Sequence, residues 1–171
     1  MTLPHADLPP LVLRLALPAD PLATEALGER VGARLRKGNT LALVGEIGAG
    51  KTTFARGLGR GLQLDDPDAV ASPTYLLVVE HPGRVPLLHA DAYLPQKLAG
   101  FLEDGGLEYL FQPGAVACVE WADRLPGLVP ANALWIELAM ASDGGRICTF
   151  RCGNVRGFPW IASLGENPAD R

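Results

Sequence analysis

Residues 45–52 read Gly-Glu-Ile-Gly-Ala-Gly-Lys-Thr, and no other stretch narrows the possible folds of this chain as far. The order matches G-x-x-x-x-G-K-[S/T], a loop whose glycines let the backbone turn tightly enough for successive N–H groups to converge on phosphate oxygens. Lys51 is then placed to reach the outer phosphates as a point charge, and the Thr52 hydroxyl to ligate Mg²⁺. The expected phosphate cradle is Ile47, Gly48, Ala49, Gly50, Lys51, Thr52 and Thr53. Such a loop works only between a buried strand and a helix whose positive end faces the anion. Both flanks are present. Residues 41–44 (Leu-Ala-Leu-Val) form an apolar run too short for a helix, and Phe54, Leu58 and Leu62 mark one helical face afterwards. Gly57, Gly59 and Gly61 each weaken that helix by about 1 kcal/mol relative to Ala. Packing must therefore hold it.

Strands and helices alternate around this centre. Residues 11–17 alternate as a short strand, and Asp20-Pro21 starts a helix whose stripe is Leu27, Val31 and Leu35 and whose end is expected at Gly38. Further strands are expected at 75–80, 85–89, 115–119, 134–138 and 147–151, with a helix over 98–109 broken at Gly105-Gly106. The pattern predicts an α/β fold: a single P-loop NTPase domain with a mainly parallel sheet flanked by helices, over residues 11–152. Residues 1–10 read as a flexible leader and 153–171 as a poorly ordered tail.

Length and composition agree with one globular domain: 171 residues, 48% hydrophobic and 20% charged. The net charge of −4 gives no reason for non-specific adhesion to nucleic acid or to an anionic membrane. Cys118, Cys148 and Cys152 lack Cys-x-x-Cys spacing and read as reduced, buried thiols, which suits a cytoplasmic protein. No apolar run reaches the roughly 18 residues a membrane span needs, and no signal peptide is apparent.

A P-loop enzyme also needs a carboxylate at a neighbouring strand end to hold Mg²⁺ or its waters. Asp91 and Glu120 both stand at such ends. Thr74, in Ser72-Pro73-Thr74, is a loop hydroxyl of the kind that senses a terminal phosphate. The Asn-Lys-x-Asp tetrad of guanine recognition is absent, which leaves adenine by elimination.

Taken in order, 45–58 (GEIGAGKTTFARGL), 72–75 (SPTY), 89–93 (HADAY) and 120–126 (EWADRLP) resemble the bacterial tRNA threonylcarbamoyladenosine biosynthesis ATPases, the TsaE (YjeE) family. The resemblance runs from about residue 17 to about residue 151. It implies slow ATP hydrolysis, with ATP and Mg²⁺ as cofactors. It also implies work beside a tRNA threonylcarbamoyladenosine transferase subunit and its paralogous partner, with tRNA met only through that complex. By position it implies that Lys51 and the loop amides hold the phosphates and that Thr52 and Glu120 bind the metal. Asp91 then sits at the terminal phosphate as catalytic or water-orienting carboxylate, and Thr24 lies near the base. Leu94 stands where the family often has Arg, and Ala122 where it usually has Pro. Two other readings stay open: a nucleotide-gated binding module with negligible turnover, and a small-molecule kinase. Such kinases usually carry a lid with several arginines, and none lies between Arg84 and Arg124.

Overall fold

A computed structural model describes residues 8–125 and 127–166. Seven strands form one sheet: β1 (Leu11–Leu17), β2 (Thr40–Val44), β3 (Val78–His81), β4 (Leu87–Asp91), β5 (Val116–Glu120), β6 (Leu134–Met140) and β7 (Arg146–Arg151). Their order across the sheet is β1-β7-β6-β2-β5-β4-β3. The central four, β6, β2, β5 and β4, run parallel, while β1, β7 and β3 add antiparallel edges. Central strands of this kind are covered on both faces, which explains their unbroken apolar runs. Leu41 and Leu43 of β2 enter one core with α1 (Pro21–Gly32) and α2 (Lys51–Leu62). Ala42, between them, faces the opposite core with Leu98, Leu102 and Leu110. Those three belong to α3 (Pro95–Phe101), a wider π-type turn (Leu102–Gly106) and α4 (Leu107–Leu110). The expected break at Gly105-Gly106 is real, with Gly105 at φ +98.

The glycines that weaken α2 are explained by its contact with α1. A methyl group on Gly57 would lie 2.0 Å from the Glu25 carbonyl oxygen, and one on Gly61 2.2 Å from that of Glu29. Reciprocally, a methyl on Gly28 would meet the Phe54 oxygen at 2.3 Å, and one on Gly32 the Leu58 oxygen at 2.4 Å. Both helices are notched four residues apart, so their backbones pack almost in contact. Dense packing of this kind returns in dispersion contacts what the helix loses in propensity.

Several boundaries differ from expectation for identifiable reasons. The first helix starts as expected, with Asp20 Oδ1 accepting from the Leu22 amide at 2.9 Å, but ends at Gly32 rather than Gly38. Residues 33–38 form turns, and the Gly38 amide (φ +86) is taken by the Ala115 carbonyl at 2.7 Å, which launches β2. The strand expected over 75–80 begins only at Val78. Ahead of it the Pro73 carbonyl accepts from both the Leu76 and Leu77 amides, and Leu77 adopts φ +65. β4 and β5 each run on to include Asp91 and Glu120.

The segment after Cys152, expected to be loose, is packed. Through residue 166 it crosses the sheet edge, with 3₁₀ turns at Val155–Gly157 and Ile161–Gly165. Phe158, Ile161 and Leu164 are buried in the α1/α2 core. Gly165 lies against Leu13 and Leu15 of β1, and Arg30 of α1 donates to the Leu164 carbonyl at 2.8 Å. The three-residue spacing of these apolar side chains is the period of a 3₁₀ turn. Residues 1–7 of the expected leader and 167–171 lie outside the described part. Cys118, Cys148 and Cys152 are free and buried. No helix among the described residues is long and apolar enough to cross a membrane.

Candidate functional site

The loop at 45–50 leaves the carboxyl end of β2, where the parallel strands of such a sheet open a crevice. Gly45 (φ +150) passes so close to β6 that a methyl there would sit 2.3 Å from the Leu138 oxygen. Gly50 (φ +107) is the N-cap of α2 and offers no capping side chain, so the first-turn amides of α2 have no side-chain acceptor there. Lys51, 5% exposed, folds back over its own loop, donating Nζ to the carbonyls of Gly45 (2.6 Å) and Glu46 (2.9 Å). Burial pushes its ammonium down from the ordinary pKa, against the opposing pull of Glu120, Asp91, Asp123 and Glu46.

The opposite wall is set by strand register. Asp91 and Glu120 are partners across β4 and β5, and Glu120 is level with Leu43 of β2. Both carboxylates therefore emerge at one height beside the loop. Thr52 Oγ1 donates to Glu120, 3.1 Å from Oε1 and 3.2 Å from Oε2. His89 Nε2 lies 2.9 Å from Oε1, fixing that carboxylate from behind. Asp91 is held by both oxygens: Oδ1 accepts from the Tyr93 amide at 2.7 Å, Oδ2 from Ser72 Oγ and from Thr74 Oγ1 at 3.0 Å.

Trp121 completes the wall in a left-handed conformation, φ +57, a costly state for a non-glycine residue that concentrates at functional sites. Its ring carries Lys51 Nζ 3.8 Å from the centroid and the Arg124 guanidinium carbon at 4.3 Å. Arg124 also stacks on Tyr93 and donates to its carbonyl at 2.8 Å. Asp123 is buried beside them with Oδ1 unpartnered, and burial pushes its carboxyl up.

These parts enclose two cavities. The larger, about 460 Å³, is lined by Ile47, Gly48, Gly50, Lys51, Thr52, Thr53, Thr74, Asp91 and Glu120 from the sequence expectation. Ser72, Tyr75, Tyr93 and Trp121 also line it, and Lys51 is the one cation among its described lining residues. The smaller, about 330 Å³, shares Gly48, Gly50 and Thr53 and adds Thr24 and Arg146. Thr24 thus sits across the loop from the two carboxylates. Ala49 is the exception among the expected residues. Its methyl is buried, its amide donates to the Glu46 carbonyl at 3.1 Å, and it lines neither cavity.

Sequence reasoning overlooked four participants. Trp121 and His89 lie inside quoted motifs beside Glu120 and Asp91, so their position was the available signal. Tyr93 had the same signal. Arg146 had none, because its partners in the phosphate loop, Gly48 and Ala49, lie almost a hundred residues away.

Comparison with known proteins bears on the family and the fold. The family model of the threonylcarbamoyl adenosine biosynthesis protein TsaE matches residues 19–148. The tRNA threonylcarbamoyladenosine biosynthesis protein TsaE of a Nostoc species is 37% identical over 143 residues, 78% of this chain and 85% of that protein. The Bacillus subtilis protein of the same name is 36% identical over 132 residues, 77% and 80% of the two chains. The crystal structure of Bacillus subtilis YdiB superposes with a TM-score of 0.71 at 29% identity, covering 93% of this chain and 96% of that one. On the motifs, the sheet and the matched length together, the chain belongs to the TsaE family of threonylcarbamoyl adenosine biosynthesis proteins.

Proposed function

We propose that this protein binds ATP with Mg²⁺, hydrolyses it slowly, and serves threonylcarbamoylation of tRNA adenosine through a transferase subunit and its paralogous partner. The observation that carries this reading is the pairing of Asp91 and Glu120 at one height opposite Lys51 and Thr52, around a cavity of nucleotide size. Two buried carboxylates would repel a triphosphate, so the site calls for a divalent cation between them.

The residues present fit that cation. No group of three or more His, Cys, Asp or Glu among the described residues would cage a metal alone. That suits Mg²⁺, which takes most of its ligands from phosphates and water. Thr52 and Glu120 would hold it, where it would offset phosphate charge. Lys51 would exchange its Gly45 and Glu46 carbonyls for phosphate oxygens. Asp91, tied down by Ser72, Thr74 and the Tyr93 amide, would keep a free edge to orient the attacking water. Thr74 would respond to the terminal phosphate through that shared contact, and the cavity lined by Thr24 would take the nucleoside.

Turnover alone should be slow. Fast phosphoryl transfer needs positive charge beyond the loop lysine, worth roughly 10³ to 10⁵ in rate when an arginine supplies it. Arg124, the nearest candidate in sequence, is clamped against Trp121 and Tyr93. The test is steady-state phosphate release by the protein alone, with each partner, and with both. At least a tenfold rise with both partners, abolished by Lys51→Ala, is expected. A high basal rate indifferent to partners would overturn the reading and favour a stand-alone kinase or hydrolase.

A further inference from the structure

A loop that turns its amides inward must turn carbonyls outward, and those carbonyls need donors of their own. Here one side chain from the far end of the chain supplies them. Arg146, the first residue of β7, donates Nε to the Ala49 carbonyl at 2.9 Å and Nη2 to the Gly48 carbonyl at 3.2 Å. Its Nη1 holds the carbonyls of Gly144 (2.8 Å) and Gly145 (3.0 Å) in the β6–β7 turn. The guanidinium thereby bolts the crest of the phosphate loop to that hairpin. The same hairpin grips the loop's start, where Gly45 abuts the Leu138 oxygen. The crest needs the bolt: Gly48 has φ +80, and no atom lies within 4 Å of where its side chain would be.

We infer that Arg146 is a positioning residue for phosphate binding, acting through the Gly48 and Ala49 carbonyls to keep the loop amides aimed before ligand arrives. This rests on the nucleotide-binding reading above. Preorganisation of this kind appears as affinity, because the ordering cost is met before binding. The planar fork matters as well as the charge. Its N–H donors meet four carbonyls at fixed angles, a pattern an ammonium cannot reproduce.

Arg146 also lines the smaller cavity, so a role confined to the nucleoside is the rival, and the test separates the two. Calorimetric titrations of the full chain with MgATP and with magnesium tripolyphosphate, which has no base or ribose, are compared for wild type, Arg146→Ala and Arg146→Lys. Melting temperatures are recorded without ligand. Both ligands should weaken together by about tenfold to a hundredfold in Arg146→Ala. Arg146→Lys should remain nearly as weak, and titrations well below each melting temperature separate this from instability. Loss of MgATP affinity with tripolyphosphate untouched would overturn the inference, as would full recovery in Arg146→Lys or unchanged affinity in both variants. Where Arg146→Ala fails to fold, the lysine variant carries the same comparison. Wild-type protein that binds neither ligand refutes the nucleotide reading and this inference with it, whereas binding unaffected by the variants refutes only the inference.

Discussion

The two sides of the larger cavity are built on different principles. The loop side, residues 45–53, is contiguous backbone: its shape comes from glycines at positive φ and a helix start, and it could be read as a string. The facing wall is assembled from side chains on 72–77, β4 and β5, brought level by parallel strand register. Contiguous backbone makes a generic anion site that many P-loop proteins share. The wall makes it particular: on the proposed reading Asp91 and Glu120, with Trp121 beside them, would decide what is done to the anion. Phosphate binding should therefore depend mainly on the loop, and the metal and the chemistry mainly on the wall.

The strongest attempt to break that division is Asp91→Ala. ATP affinity by calorimetry should stay near wild type, while single-turnover phosphate release falls by about 10² to 10⁴, the range for a positioned acid–base group. Glu120→Ala should do the reverse. It should raise the Mg²⁺ concentration needed for nucleotide binding by about tenfold to a hundredfold, the range seen when even an outer-shell partner of a metal is lost. Excess Mg²⁺ should partly restore it. Exchanged phenotypes would swap the two roles.

A smaller effect tests what supports the loop side. The notched contact between α1 and α2 fixes the helix that begins at Lys51. Gly57→Ala should cost about 1–3 kcal/mol through overpacking, or more if the backbones cannot part. That is some 2–4 °C of melting temperature, roughly, for each kcal/mol in a chain of this size. Gly100, in α3 with no positive φ and open space within 4 Å of where a methyl would sit, is the control. Gly100→Ala should gain about 0.4–1 kcal/mol. Equal effects at the two glycines would show that the close approach is not what holds α2.

How much was legible follows the same divide. Lys51, Thr52 and the flanking strand and helix could be read because each depends on neighbours within a turn or two. Asp91 and Glu120 were recognisable as strand-end carboxylates, but their equal height depends on the β4/β5 register, which no local pattern encodes. The turn at 73–77 hid inside a run of β-favouring residues, because the Pro73 carbonyl and the left-handed Leu77 override propensity. The packed segment around Phe158 and Ile161 was invisible for a similar reason. Its apolar residues repeat every three positions, a period of neither α-helix nor strand, and the surface they cover belongs to the α1/α2 core and β1, near the opposite end of the chain.

The smallest expected effect concerns pH and belongs to β3, which flanks the wall, since residues 45–53 contain no histidine. His81 on β3 is buried with Nε2 unpartnered, its ring 6.2 Å from that of His89. Burial, then the neighbouring His89, push its pKa below the ordinary 6.5, against the opposing pull of Asp66. A histidine whose folded pKa is depressed binds fewer protons folded than unfolded as pH falls, so acid favours unfolding. Its stabilising neutral form is fully present above the ordinary 6.5, and stability drains away from there down to the lower folded value. Melting curves of wild type and His81→Gln should therefore converge, or cross in the variant's favour, as pH drops from about 7.5 to about 5. Nucleotide affinity at neutral pH should be the same for both, because His81 pairs with Leu87, at the end of β4 away from Asp91. A pH slope unchanged by His81→Gln would move the acid sensitivity to another group, and a lost affinity would mean that β3 helps to shape the site after all.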